Sequence, residues 1–244
     1  MIPSVLGRAR LCMARRLMSG GGVPKLNLVM DIDECMIHSV FEEDIGYRQA
    51  DERTLKDVDG CVGVEIRSIA CEDGAPVKMY VRPHLLDFLA SVKEDYNVYA
   101  FTAALPVYAR PVLANLDPDN TIFQDAWFRQ DCTLVNVNGH RLYTKDVLKT
   151  AKLDPKRTVL VDNNIYSFIP IPNNGIHVDN FTNSAEDEQL KDLLPLLQHV
   201  SAQEDMRGAL AEMFQLEERL KPVYDAIRAA GQGKGKGQSK GAQE

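Results

Sequence analysis

The chain has 244 residues, 45% of them hydrophobic and 26% charged, a length and balance that fit one domain with a sizeable core and some extensions. A formal charge of −7 excludes a net electrostatic pull toward nucleic acid or anionic lipid, and no basic patch in the body of the chain makes up for it, so direct nucleic-acid binding is not expected. Five widely spaced cysteines without a C-x-x-C pair argue against a disulfide framework or a structural zinc site, and no segment approaches the ~18 apolar residues that would span a bilayer.

Residues 1–23 form an N-terminal extension that carries Arg8, Arg10, Arg15 and Arg16 and no acidic residue. That bias matches a mitochondrial transit peptide, and it equally matches an extension without targeting value. Lys25 to Met30 is a short apolar run ending in acidic residues, the pattern of a buried parallel strand. The stretch from Val40 to Pro83 opens polar. It continues with two alternating segments, Gly63 to Ile69 and Val77 to Val81, separated by Glu72-Asp73-Gly74-Ala75-Pro76, which predicts a β-hairpin inserted between the first core strand and its helix.

Pro83 opens a helical pattern through Leu85, Phe88, Leu89 and Val92. A second buried strand is expected at Asn97 to Thr102, then a helix from Leu105 to Leu116, kinked by Pro111 and closed by Asp117-Pro118-Asp119-Asn120. Trp127-Phe128-Arg129 reads as a further strand, and Asn136-Val137-Asn138-Gly139 as a hairpin turn. Thr158 to Val161 is a third buried strand ending in Asp162-Asn163-Asn164, and Gly175 to Val178 a fourth. Helices are predicted over Asp187 to Val200 and, as one C-terminal helix, Gln203 to Ala230. From Gly231 to residue 244 the chain is a Gly/Lys/Gln-rich tail expected to be disordered.

Strands alternating with helices predict a parallel α/β sheet, in which ligands bind beyond the carboxyl ends of the strands. Four polar features fall at such ends or just after a hairpin. Asp31-x-Asp33 offers one carboxylate to attack and another to handle a proton. Thr102 supplies a hydroxyl and Lys145 a cation. Asp162-Asn163 supplies hard oxygen donors suited to magnesium. Taken singly, each has an ordinary explanation as a cap, a turn or an exposed side chain.

In order and placement the four together resemble the small phosphatases that act on the C-terminal domain of RNA polymerase II, within the haloacid dehalogenase (HAD) superfamily. The resemblance spans about Pro24 to Val200. It rests on Leu28-Val29-Met30-Asp31-Ile32-Asp33-Glu34-Cys35, Arg82-Pro83-His84, Phe101-Thr102-Ala103, Arg129-x-x-Cys132, Lys145-Asp146, Val161-Asp162-Asn163, Asp179-Asn180-Phe181 and Leu193-Leu194-Pro195. It implies a Rossmann-like HAD fold over residues 24–200, a central parallel sheet flanked by helices with a small hairpin insertion. It also implies a Mg2+-dependent phosphoserine/phosphothreonine phosphatase working through an aspartyl-phosphate.

In that reading Asp31 is the nucleophile and Asp33 the general acid and base. Thr102, Lys145 and Arg129 bind the phosphoryl group. Asp31, the Asp33 carbonyl and Asn163 hold the metal, with Asp162 in support. The implied partner is a phosphoprotein, a Ser-Pro-rich peptide among the candidates, acted on by a monomer that is mitochondrial if the arginines target it and otherwise nuclear or cytoplasmic. Two other readings stand beside it: a non-catalytic presequence receptor like a subunit of the mitochondrial inner-membrane translocase, which this domain also resembles, and a phosphatase for small metabolites. Cys35 and Asn164-Ile165 depart from the family pattern. At Cys35 the loop shape is expected to be kept, with an added sensitivity to oxidation.

Overall fold

A computed structural model describes residues 24–41 and 63–234 of the chain. The N-terminal extension at 1–23, the start of the insertion at 42–62 and the tail at 235–244 lie outside the described residues, as do the expectations that fall on them. Five strands make a parallel sheet: β1 (Asn27–Met30), β5 (Asn97–Phe101), β6 (Phe123–Trp127), β9 (Thr158–Asp162) and β10 (Gly175–His177). Their order is β10-β9-β1-β5-β6. The apolar runs explain this. β1 and β9 are buried along their whole length, as strands covered on both faces must be.

The chain leaves β1 toward β5 on one side and later crosses to β9 on the other, so the strand order reverses at β1. Such a reversal opens a crevice beyond the carboxyl end of the sheet. Asp31, Thr102 and Asp162 follow or end the three central strands at that same end. Around the sheet lie α1 (Leu85–Asp95), α2 (Pro106–Leu116), α3 (Val147–Ala151), α4 (Gln189–Ser201), α5 (Arg207–Phe214) and α6 (Leu216–Lys234).

The insertion is a three-stranded antiparallel sheet of β2 (Ile37–Phe41), β4 (Pro76–Val81) and β3 (Glu65–Ala70). The predicted hairpin is β3 and β4, with Glu65 opposite Val81. The strand β2 falls partly in the stretch read as polar. It forms because Ile37 to Phe41 pairs along β4, a partner about forty residues away. The insertion is fastened to α2: the backbone N–H of Glu72 donates to the Val107 carbonyl at 2.9 Å, and Arg67 of β3 donates to the Asn115 carbonyl at 3.1 Å and to its side-chain oxygen at 2.9 Å. Pro111 inside α2 has no N–H for the Val107 carbonyl, so the helix runs through the proline with its freed acceptor satisfied from outside.

The second hairpin, β7 (Thr133–Val137) and β8 (His140–Thr144), turns on Asn138 and Gly139, both with positive φ, as the Asn-Gly signal requires. Three expectations need correction. Trp127-Phe128-Arg129 is not a strand: β6 ends at Trp127, and Arg129–Asp131 is a 3-10 turn because the Asp131 carboxylate accepts the Phe128 N–H at 2.9 Å. The C-terminal helix is two helices, broken at Gln215, which takes a left-handed conformation with φ 50°. The tail does not begin at Gly231, since α6 continues to Lys234. The pair α5 and α6 lies across the body, with Leu210, Phe214, Leu216 and Leu220 joining the core.

Candidate active site

The sheet's carboxyl end opens into a cleft of about 570 Å³, lined by Asp31, Asp33, Thr102, Arg129 and Asn163 among others. Asp31 follows β1, its N–H donating to the Val161 carbonyl at 3.0 Å, so the nucleophile candidate is fixed by the neighbouring strand. The chain then turns sharply. The N–H groups of Met36 and Ile37 both donate to the Ile32 carbonyl, and Glu34 has φ 54°. Asp31 and Asp33, spaced i and i+2 like residues on one face of an extended chain, both line the cleft, and the turn ends the strand there.

Their surroundings differ. Asp31 Oδ1 lies 2.7 Å from Lys145 Nζ and accepts the Ile32 N–H at 2.8 Å. Lys145 is 2% exposed and also meets Asp162 Oδ2 at 2.6 Å. Burial alone would lower the Lys145 pKa, but Asp162 and Asp31 outweigh it and hold the ammonium above its usual value. One ammonium thus serves two buried carboxylates and leaves an excess negative charge. Burial pushes the Asp31 carboxyl well up, the charge of Asp162 adds to this, and Lys145 opposes it.

Asp33 is half-buried and is gripped by hydroxyls. Tyr108 donates to its Oδ1 and Thr102 to its Oδ2 at 3.3 Å. The Ser39 hydroxyl sits 2.7 Å from Tyr108 Oη and completes the chain. Burial raises the Asp33 carboxyl above its usual range, with the Tyr108 bond pulling the other way. A carboxyl so placed can hold a proton and give it up.

On the other side of the cleft, the Asn163 side-chain amide ends 3.2 Å from the Asp33 carbonyl oxygen and from Asp31 Oδ2. With its nitrogen inward the amide donates to both. With its oxygen inward three oxygens converge without a proton, a set that a hard cation takes and that the excess negative charge favours. These residues therefore fit magnesium. Among the described residues no cluster of three His, Cys, Asp or Glu could hold a metal, so the fit rests on this mixed set of carboxylate, carbonyl and amide. Asp162 stands behind it, fully buried, its Oδ1 taken by the Asn164 N–H at 2.7 Å and its Oδ2 by Lys145.

Arg129 reaches the rim from the 3-10 turn after β6. Its Nε donates to the Ala103 carbonyl at 2.6 Å, and its guanidinium lies 5.5 Å from the Tyr143 ring centre. Of the candidate site residues, Asp31, Asp33, Thr102, Arg129 and Asn163 thus line one cleft, and Lys145 and Asp162 stand directly behind it. The expected oxidation sensitivity of Cys35 needs correction: the side chain is fully buried, its Sγ points at the Val161 carbonyl, and burial pushes the thiol well above its usual pKa. Oxidation proceeds from an accessible thiolate, and neither condition is met.

Tyr108 and Ser39 escaped the sequence reading. The signal for Tyr108 was its place in the first turn of a helix that begins at a strand tip. Arg82, read only as a helix entry, is 1% exposed and clamps the loop after Asp31. It donates to the Cys35 carbonyl at 2.8 Å, to the Asp179 carbonyl at 3.1 Å and, through Nε and a terminal nitrogen, to both Asp187 oxygens.

The profile of the NLI interacting factor-like phosphatases matches residues 26–207. The chain belongs to that family. A family relative from Dictyostelium discoideum, described as a probable C-terminal domain small phosphatase, is 35% identical over 187 residues, covering 76% of this chain and 54% of the relative. Human carboxy-terminal domain RNA polymerase II polypeptide A small phosphatase 1 is 30% identical over 190 residues, covering 77% and 64%. A solved structure of Fcp1, described as an essential RNA polymerase II CTD phosphatase, aligns with 76% of this chain and 52% of its own, at 20% identity and TM-score 0.45. The chain spans little more than half the length of the Dictyostelium relative.

Proposed function

We propose that this chain is a magnesium-dependent phosphoserine/phosphothreonine protein phosphatase that works through an aspartyl-phosphate on Asp31. The observation that carries the reading is the contrast between its two acids. Asp31 abuts a buried ammonium, whereas Asp33, two residues on, is held by two hydroxyls; burial raises both carboxyls, and what separates them is the cation beside Asp31. A nucleophile and a proton donor need that difference. Magnesium would be held by Asp31, the Asp33 carbonyl and Asn163, with Asp162 in support; when bound, it offsets phosphoryl charge and keeps Asp31 ionised.

In this mechanism an Asp31 oxygen forms a bond to phosphorus as the bond to the seryl or threonyl oxygen breaks. Asp33 gives its proton to that leaving oxygen. Asp33, now a carboxylate, takes a proton from water as the water oxygen attacks phosphorus, and Asp31 is released with phosphate. Lys145, Thr102 and Arg129 hold the phosphoryl oxygens as charge builds on them. The cleft also has an apolar wall of Phe41, Ala75, Leu105 and Val107. It suits an apolar side chain next to the phosphoresidue, and the C-terminal domain named for the relatives supports a Ser-Pro-rich peptide as the substrate.

A relative named for RNA polymerase II supports a nuclear or cytoplasmic site of action. The test is hydrolysis of p-nitrophenyl phosphate. Activity is expected to require magnesium and to fall by at least about a thousandfold in Asp31→Asn. Wild-type protein inactive with magnesium across about pH 5 to 7, where an acid of this kind works, would overturn the reading.

A further inference from the structure

The family match ends at residue 207, whereas α5 and α6 together run from Arg207 to Lys234. Most of this pair therefore lies beyond the matched residues, yet it is built into the fold. α6 packs on β7 and on the 3-10 turns Ile165–Phe168 and Pro172–Asn174, and α5 packs on β10 and the second of those turns. The Tyr224 hydroxyl donates to the Ile169 carbonyl at 3.0 Å. The Arg219 guanidinium meets His177 Nδ1 at 3.4 Å. Leu216 lies so close to Gly175 that a Cβ there would sit 2.5 Å from its Cδ1.

The segments held in this way support one half of the cleft. The stretch at 164–174 is the continuation of Asp162-Asn163, and its Ser167 carbonyl accepts the Lys145 backbone N–H at 3.1 Å. His177 is in register with Asp162 across the sheet, and the Val178 N–H donates to the Asp162 carbonyl at 3.1 Å. β7 pairs with β8, whose last residue precedes Lys145. By contrast, Asp31 and Asp33 are held by β9 and α2. α6 thus lies behind the segments that present Lys145, Asp162 and Asn163. Of those segments, the stretch at 164–174 is built of short 3-10 turns with few ladder bonds of its own, so its geometry depends on what is packed against it.

We propose that α6 is a brace, with Tyr224 and Arg219 as positioning residues. By fixing the 163–178 segment it sets the affinity with which Asn163 joins Asp31 and the Asp33 carbonyl around a divalent cation. The proposal rests on the reading of that site given above. Groups outside a metal's direct ligands tune affinity by tenfold or more when they orient a ligand, and more distant ones by less.

The experiment uses the full chain, as wild type, Tyr224→Phe and the double variant Tyr224→Phe/Arg219→Met, each first shown to be folded by circular dichroism. Magnesium alone is titrated calorimetrically without substrate, and amide hydrogen exchange is followed over 163–178. The expected result is a Kd for magnesium about threefold to tenfold weaker in the double variant and faster exchange over 163–178, with phosphatase activity recovering at saturating magnesium. A folded double variant with wild-type affinity and wild-type exchange overturns the brace. If the double variant does not fold, Tyr224→Phe, which removes a single oxygen, decides by the same two readings. If the wild type takes up no magnesium, the metal-site reading fails on its own, and exchange over 163–178 decides the brace: faster supports it, unchanged overturns it.

Discussion

Asp33 is where the chemistry is most exposed to test. Burial raises its carboxyl and the Tyr108 bond pulls it down. A general acid must be protonated, so kcat/KM falls as pH rises through that raised pKa. In Tyr108→Phe the downward pull is gone, and the descending limb of the pH profile is expected to move to higher pH; a limb that moves lower contradicts this assignment. Tyr108 also shows why the sequence alone was incomplete. Asp31, Asp33, Thr102, Lys145 and Asp162-Asn163 are legible because each ends a strand or follows a hairpin, and strand ends converge. Tyr108 meets Asp33 across 75 positions of chain, and Arg82 meets Asp187 across 105, so no local spacing announces either pair.

Among the elements, the buried strands are the legible part, since apolar runs between turn signals have few other structures open to them. The break at Gln215 is not legible, because a left-handed residue that is not glycine follows from packing on both sides of it and not from its own preference. The close approach of α6 to β10 gives a stability test. Gly175→Ala places a methyl 2.5 Å from Leu216 and from Phe168 and is expected to cost about 1–3 kcal/mol in chemical denaturation. A loss below a few tenths of that would mean that α6 is not seated there.

The same contact carries a pH dependence. Burial, and then Arg219, lower the His177 pKa, so the folded chain binds fewer protons there than the unfolded chain. Its contribution is therefore full above the ordinary histidine value of 6.5 and is lost as pH falls below that toward the folded value. Melting curves between about pH 7 and 5 should show the loss, and His177→Gln should flatten it.

For the whole molecule, the insertion and the parallel sheet meet around one cleft with the C-terminal helices packed behind part of it, and a cation there would tie β1 to β9. Binding to the folded state alone raises stability by about 2.7 kcal/mol at a hundredfold excess over Kd, or roughly 5–10 °C in Tm for a domain of this size. Magnesium should therefore raise Tm, a chelator should reverse the rise, and Asn163→Ala should abolish most of it. The most direct test of the central claim is intact-mass analysis of acid-quenched protein during turnover of a phosphopeptide. A single added phosphoryl group, located on the peptide containing Asp31 and absent from Asp31→Asn, is the predicted result. Turnover of the phosphopeptide with no phosphoryl group on Asp31 at any quench time, or with one on another residue, would contradict it.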